Sequence, residues 1–450
     1  PVLVNSEELP LPWNGRLGYA CLNTYLRSSD PPVFCSRTCR INSIIEHRHP
    51  LQDPSKPAHP IKNRPDKSKL PDPALGTRFL QSLGLKNSKD LCKLLRWNEI
   101  FGIKFMRISS EMFPFASHET YGYSLGFAAD ALKEAGNLVK QFGHRVSTHP
   151  GQFTQLGSPN PKVIEASIRD LCYHDEMLSL LKLPSQQDRD AVMIIHMGGT
   201  YGDKAATLRR FRDVWRSTRI TKGIRKRLVL ENDDVSWSVH DLLPLCEELH
   251  IPLVFDWHHH NIVCDTDKLR PGNLDISTMS DEKGRKLMDR ILDTWRRKNI
   301  TPKMHYSEPA AGAKTTRNMR KHSPRVETLP PCPNDMDLMI EAKDKEQAVF
   351  YLMRKFSLDG AHRFADIADG DIQETFLDVG GTGRRVYWPE GREDILKVKK
   401  VRTKKVKTKE SCAKDQMSKT AKPSKKSAEP GPAPEKEAKM RNTKHSKKNK

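Results

Sequence analysis

AVMIIHMGG, residues 191–199, decides how the rest of the chain is read. Five apolar residues run without polar interruption into a histidine and a glycine pair, as in a strand buried on both faces that ends where a polar side chain becomes available. Seven more short β-branched or apolar runs flank it: RLGYACLN (16–23), KFMRISSEM (104–112), RVSTH (145–149), RLVLEND (227–233), PLVFDWH (252–258), PKMHYSE (302–308) and MDLMIEAKDKE (336–346). Between them lie stretches of helical periodicity, at 88–100, 124–143, 161–181, 205–217, 239–249 and 283–298. Strands alternating with helices over short connections imply a parallel sheet, and eight such units imply an α/β fold closed as a TIM (β/α)8 barrel. The barrel is expected over 16–395, after a lead at 1–15, with one elaboration: a first-loop insertion at 27–87, holding a helical piece at 36–48 and a Pro- and Lys-rich stretch.

The composition points to a folded body with a polar appendage. Of 450 residues, 36% are hydrophobic and 30% charged, and the formal net charge is +21. Residues 397–450 carry +15 of that charge and contain no Phe, Trp or Tyr. A disordered tail over 396–450 is therefore expected, since it cannot bury enough apolar surface to offset its ordering. Its basic run KKVRTKKVKTK (399–409) suits nuclear targeting or non-specific phosphate contact, with a merely solubilising role as the plain alternative. The chain opens on Pro rather than Met, so mitochondrial targeting stays open. No apolar run approaches a membrane span. Nine scattered cysteines fit a reducing compartment, and Cys35 and Cys39 lack the second pair that a zinc knuckle needs.

In such a barrel the chemistry sits at the C-terminal ends of the strands. Those ends carry His149, His196, Glu231, Asp256 with His259 just beyond, His305 and Glu341; His118 and His322 follow the second and seventh strands. Singly, each is adequately explained as a hydrogen-bonded structural residue. Together in one mouth, so many imidazoles and carboxylates call for cations. Nitrogen and oxygen donors without thiolate fit Zn²⁺ or Mn²⁺, with Mg²⁺ also open, and metal ions sharing carboxylates are the arrangement that hydrolyses phosphodiesters. Lys303 lies two residues before His305, so alternation turns both side chains the same way. An ammonium facing cations must lose its charge, be carboxylated by CO₂, or reach past them to a phosphate, unless it snorkels to solvent. Carboxylation is the favoured expectation.

The ordered blocks RLGYACLN, RISSEMFPFASH, STHPGQF, IHMGG, LENDD, FDWHHH, KMHYSE and IEAKDKE resemble the UV-damage endonucleases of fungi and bacteria, from about Arg16 to about Glu346. The resemblance implies an endonuclease IV-like barrel with three divalent metal ions held by His149, His196, Glu231, Asp256, His259, His305, His322 and Glu341. It implies that Lys303 is the family's modified lysine and that Glu231, Glu341, Lys303 and His118 serve catalysis. It also implies that Gln152 and Phe153 are a pair that probes the duplex, and that Tyr19 and Asn23 lie near the lesion. Phe153 stands where bacterial members often carry Tyr, which removes a hydroxyl but keeps the stacking face. Physical reasoning supports the wedge independently: a crosslinked dipyrimidine stacks poorly, so extruding it costs less than extruding sound bases. Ordinary loop packing is the alternative for the pair.

The resulting expectation is a metal-dependent repair endonuclease, acting as a monomer on UV-damaged double-stranded DNA. It should nick 5′ to cyclobutane dimers and 6-4 photoproducts and leave a 3′-hydroxyl and a 5′-phosphate. ATP is not expected to be needed, because no G-x-x-x-x-G-K-[ST] motif is present. The rivals are an endonuclease IV-like abasic-site enzyme, a metal-dependent sugar isomerase, and a damage binder with structural metals.

Overall fold

The computed structural model describes residues 13–45, 70–264, 286–330 and 332–364. The lead at 1–12, much of the Pro- and Lys-rich stretch and the basic tail lie outside the described residues. Eight parallel strands form one sheet: β1 (Leu17–Ala20), β2 (Phe105–Ile108), β3 (Arg145–Thr148), β4 (Met193–His196), β5 (Leu228–Glu231), β6 (Leu253–Val254), β7 (Lys303–Tyr306) and β8 (Asp337–Ile340). Their order is β6-β5-β4-β3-β2-β1-β8-β7. The two ends meet through a parallel bridge between Asp256 and His305, where the His305 N–H donates to the Phe255 carbonyl at 3.1 Å. That contact closes the barrel.

The paired segments are shorter than the apolar runs suggested. The runs continue past the ladder because barrel strands give way to loops at their C-terminal ends, and there the polar residues sit. His149 and Glu341 follow the last paired residue of their strands and Asp256 makes the closing bridge beyond β6, whereas His196 and Glu231 are paired with each other in register.

A second difference concerns the insertion. The helix expected at 88–100 spans Pro73–Ile100, so a good part of the insertion is helical. Asp72 caps it by accepting from the Leu75 N–H at 3.0 Å, and a proline in the first turn is compatible with helix initiation. The preceding Pro- and Lys-rich composition concealed this start. The short helix Ile41–Ile45 packs against it so closely that a Cβ on Gly76 would lie 2.3 Å from the Ile44 carbonyl oxygen.

Helices and strands share one large buried core, and a small separate cluster of Ala20, Phe105 and Met339 is built from barrel strands. At the N-terminal end of the strands, Asp337 is buried between Arg145 and Arg16, at 2.9 and 3.1 Å. Charge at that end is paired internally, so the open, polar end is the opposite one.

Candidate metal centre

The C-terminal ends of the strands surround a cleft of about 1160 Å³ whose lining includes Arg107, His149, His196, His259 and Glu341. Four of the imidazoles meet at Glu231, on which β5 ends with its carboxylate buried. Oε2 lies 3.1 Å from His149 Nε2 and 3.8 Å from His196 Nε2, while Oε1 lies 2.8 Å from His305 Nδ1 and 3.5 Å from His259 Nδ1. His305 Nδ1 is also 3.4 Å from Glu341 Oε1 and 4.0 Å from Asp256 Oδ2. Among the described residues, two groups of donors converge tightly enough to hold an ion each: His149, His196 and Glu231, and Glu231, Asp256 and His305.

Local folding leaves the ligand atoms free. Asp256 caps the short helix Trp257–His260, its Oδ1 accepting from the His259 N–H at 2.9 Å, and its buried Oδ2 has no hydrogen-bond partner. Asn232 fixes it from both sides, accepting from the Asp256 N–H at 2.8 Å and donating to its carbonyl at 3.0 Å. His149 Nδ1 is 3.1 Å from the Pro150 carbonyl, His259 Nδ1 is 2.9 Å from the Asn232 carbonyl, and His322 Nδ1 meets the Glu341 carbonyl. An imidazole that donates from Nδ1 to a carbonyl presents a lone pair at Nε2, the tautomer a metal needs. A buried carboxylate oxygen without a partner and three oriented histidines fit divalent cations better than they fit a closed hydrogen-bond network.

The electrostatics agree. Burial alone would raise the Glu231 carboxyl, but His305, His196 and His149 outweigh it and hold Glu231 well below the usual carboxylate range. Burial would likewise raise Glu341, which Arg107 and His305 keep well below that range. For His259, burial is overcome by Asp256, Glu231 and Glu341, which lift the imidazole to about 9. Such a lift reports a strongly negative field. His149 is drawn down to about 4 by burial, with Arg107 and His196 adding to it against the pull of Glu231.

Lys303 is fully buried inside the barrel, its Nζ against His305 Nε2 and about 6.0 Å from the centre of the Phe105 ring. It does not snorkel. Burial holds its ammonium well below the usual lysine range, against the opposing pull of Glu231. His322 is outside both converging donor groups and the cleft lining, its ring 5.0 Å from that of His258 and its Nδ1 on the Glu341 carbonyl; residues 309–322 fold back to bring it there, the Ala310 N–H donating to the Lys321 carbonyl at 2.7 Å.

Gln152 and Phe153 stand on the rim of the same cleft, and Phe153 is 79% exposed. Three sequence-derived candidates are placed elsewhere. Tyr19 is wholly buried, donating to Asn98 Oδ1 at 2.7 Å and accepting from Asn23 Nδ2 at 3.1 Å. Asn23 Oδ1 caps the helix Thr24–Arg27 through the Leu26 N–H. Neither lines the cleft. The His118 ring is directed at the Thr120 and Tyr121 N–H groups, at 3.1 and 3.3 Å, and is also outside the lining. Sequence reading missed Arg107, which projects from β2 onto Glu341 and lines the cleft. Its position within FMRI (105–108), a lone cation among apolar residues, was the available signal.

A family model described as UV-endonuclease UvdE matches residues 15–374. The UV-damage endonuclease of Neurospora crassa is 57% identical over 453 residues, covering 89% of this chain and 68% of that protein. That of Schizosaccharomyces pombe is 48% identical over 397 residues, covering 88% of this chain and 58% of that protein. The chain thus spans only part of the length of either fungal relative. Among solved structures, that of SacUVDE superposes with a TM-score of 0.57 at 24% identity, over 76% of this chain and 99% of that one, a likeness of fold.

Proposed function

Because the chain belongs to the UV-endonuclease UvdE family, we propose that it is a DNA-repair endonuclease that nicks duplex DNA immediately 5′ to UV photoproducts. The products are a 3′-hydroxyl and a 5′-phosphate, the substrates include cyclobutane dimers and 6-4 photoproducts, and neither ATP nor a second subunit is required. The observation that carries this reading is the exposed Phe153 ring on the rim of the cleft that holds the Glu231-centred ligand cluster.

His149, His196 and Glu231 would hold one divalent ion, and Glu231, Asp256, His305 and Glu341 a second. His259 and His322 complete the set for a third. Mn²⁺ and Zn²⁺ suit these donors, and Mg²⁺ suits the carboxylates. When bound, such ions polarise a phosphodiester and lower the pKa of water.

The chain's own residues supply recognition and order. Gln152 and Phe153 fill the gap left when a damaged dinucleotide leaves the stack, so bases that pair poorly are extruded at lower cost. Asn232 and the Pro150 and Glu341 carbonyls fix ligand orientation before substrate arrives. Arg107 balances charge at Glu341. The basic segment 399–409 adds sequence-independent phosphate contact and directs the protein to the nucleus, with mitochondria as a further destination.

Incubating the protein and Mn²⁺ with a duplex bearing one cyclobutane dimer, beside undamaged and abasic duplexes, tests the reading. A nick directly 5′ to the dimer, abolished by chelation and independent of ATP, is expected. Cleavage of the abasic duplex alone would replace this reading with the endonuclease IV-like one.

A further inference from the structure

Gln155 ties together the loops around the cleft. Its Nε2 donates to the Gln152 carbonyl at 2.9 Å, and its Oε1 accepts from the Gly199 N–H at 3.4 Å and from the Tyr201 hydroxyl. Its own backbone N–H donates to Ser167 Oγ at 2.8 Å, anchoring it on the helix Pro161–Leu180. The β4 loop is shaped around this amide. Gly198 has φ +86, and a Cβ there would lie 2.7 Å from Gln155 Cγ and Cδ, so only glycine fits. The Gly198 carbonyl accepts from Trp237 Nε1 at 2.6 Å, and the Trp237 N–H donates to Asp233 Oδ1 at 2.8 Å.

A continuous hydrogen-bonded chain therefore runs from Gln152 through Gln155 and Gly198–Gly199 to Trp237 and Asp233. It joins the loops that follow His149, His196 and Glu231. The Phe153 ring, by contrast, is held by little of its own, since it stands largely in solvent. A tip that must enter a duplex binds more tightly when its backbone is already ordered, because less conformational entropy is lost on insertion.

We propose that Gln155 is a positioning residue for lesion recognition, holding the Gln152–Phe153 tip in fixed register with the ligand-bearing loops. The proposal rests on the photoproduct reading above and adds to it the element that orients the probe. Tyr201 shares the role as the second anchor of the amide.

Gln155→Met preserves side-chain length and removes every amide contact; Tyr201→Phe removes one. In the free protein, hydrogen exchange at the Gly199 and Thr154 amides should speed about tenfold in Gln155→Met, as expected for loss of a hydrogen-bonded brace. With a photoproduct duplex, KM should rise about tenfold while kcat and bound metal stay unchanged, and Tyr201→Phe should shift it less. In a Gln152→Ala/Phe153→Ala background the Gln155→Met change should add nothing to KM, because both side chains of the tip it positions are gone. Unchanged exchange, a fall in kcat at constant KM, or effects that multiply with those of Gln152→Ala/Phe153→Ala would overturn the proposal. Exchange is read without DNA, which separates the two ideas. Faster exchange in the variant, with wild-type protein unable to nick the dimer, would sink the photoproduct reading and leave the brace standing. Normal nicking with unchanged exchange would sink the brace alone.

Discussion

Lys303 Nζ meets His305 Nε2 inside the barrel, while the other nitrogen of the same imidazole faces Glu231, Glu341 and Asp256. If His305 gives its Nδ1 lone pair to a cation, Nε2 carries the proton and must donate it. An ammonium has three donors and no acceptor, so charged Lys303 cannot receive that proton. A carboxylated lysine can, and burial already disfavours the ammonium. Intact-mass analysis under non-acidic, native conditions should therefore show the mass of one added CO₂, lost in Lys303→Met. An unmodified mass in metal-loaded, active protein would leave only the neutral amine.

Glu231 belongs to both converging donor groups, whereas His196 and His305 belong to one each. Glu231→Gln should thus deplete bound metal more than either His196→Ala or His305→Ala, and incision should fall at least 100-fold, of the order seen when electrostatic stabilisation of a reacting phosphate is removed. Metal per chain, measured after gel filtration without added ion, decides the ranking. Equal depletion in all three variants would mean that the ions bind as one inseparable cluster.

What was legible beforehand follows from geometry. Each barrel strand delivers its last residues to one rim, so His149, His196, Glu231, Asp256, His305 and Glu341 could be found by reading run ends alone. Loop-borne features were harder. His322 meets the Glu341 carbonyl through a fold-back at 309–322 that has no periodicity, and the Gln155 brace depends on partners 44 and 46 residues away. Tyr19 and Asn23 sit at or just past the end of β1 and met the rim criterion, yet they point into the helix layer, toward Asn98 and the Leu26 N–H. Alternation along a four-residue strand could not distinguish inward from outward without the register.

Gln152→Ala/Phe153→Ala should weaken discrimination between photoproduct and undamaged duplex by about 10- to 100-fold, the scale of one or two lost stacking contacts. Neither side chain belongs to a converging donor group, so metal content and thermal stability should be unaffected. Loss of metal in the double variant would show that probing and ligation are not separable.

At the opposite end of the barrel, Asp337 binds buried Arg145 at 2.9 Å and accepts from the Arg16 N–H at 2.8 Å. Asp337→Ala leaves the Arg145 guanidinium buried without its anion, which costs about 3–5 kcal/mol. Denaturant unfolding should register that loss while metal per folded chain stays at the wild-type value. A stability change below about 1 kcal/mol would mean that Arg145 finds compensation, for instance by leaning further on the Asp190 and Pro302 carbonyls.

Glu346 offers a pH signature independent of the metals. It is wholly buried, its Oε1 accepting from the Thr24 N–H at 2.8 Å, from the Tyr25 N–H at 3.3 Å and from the Thr24 hydroxyl, while Oε2 has no partner. Burial pushes the carboxyl up to about 7, against the pull of these hydrogen bonds. An unfolded chain would release the proton near about 4.3. The folded state therefore holds a proton that the unfolded state has already lost. The associated stability is full below the unfolded value, declines as pH rises, and is gone once pH passes about 7. Its size is on the order of 3–4 kcal/mol. Glu346→Gln keeps the Oε1 acceptor and cannot ionise, so its unfolding free energy should fall less than the wild-type value between pH 5 and pH 8. Parallel curves for the two proteins would show that Glu346 is ionised in the folded state at neutral pH.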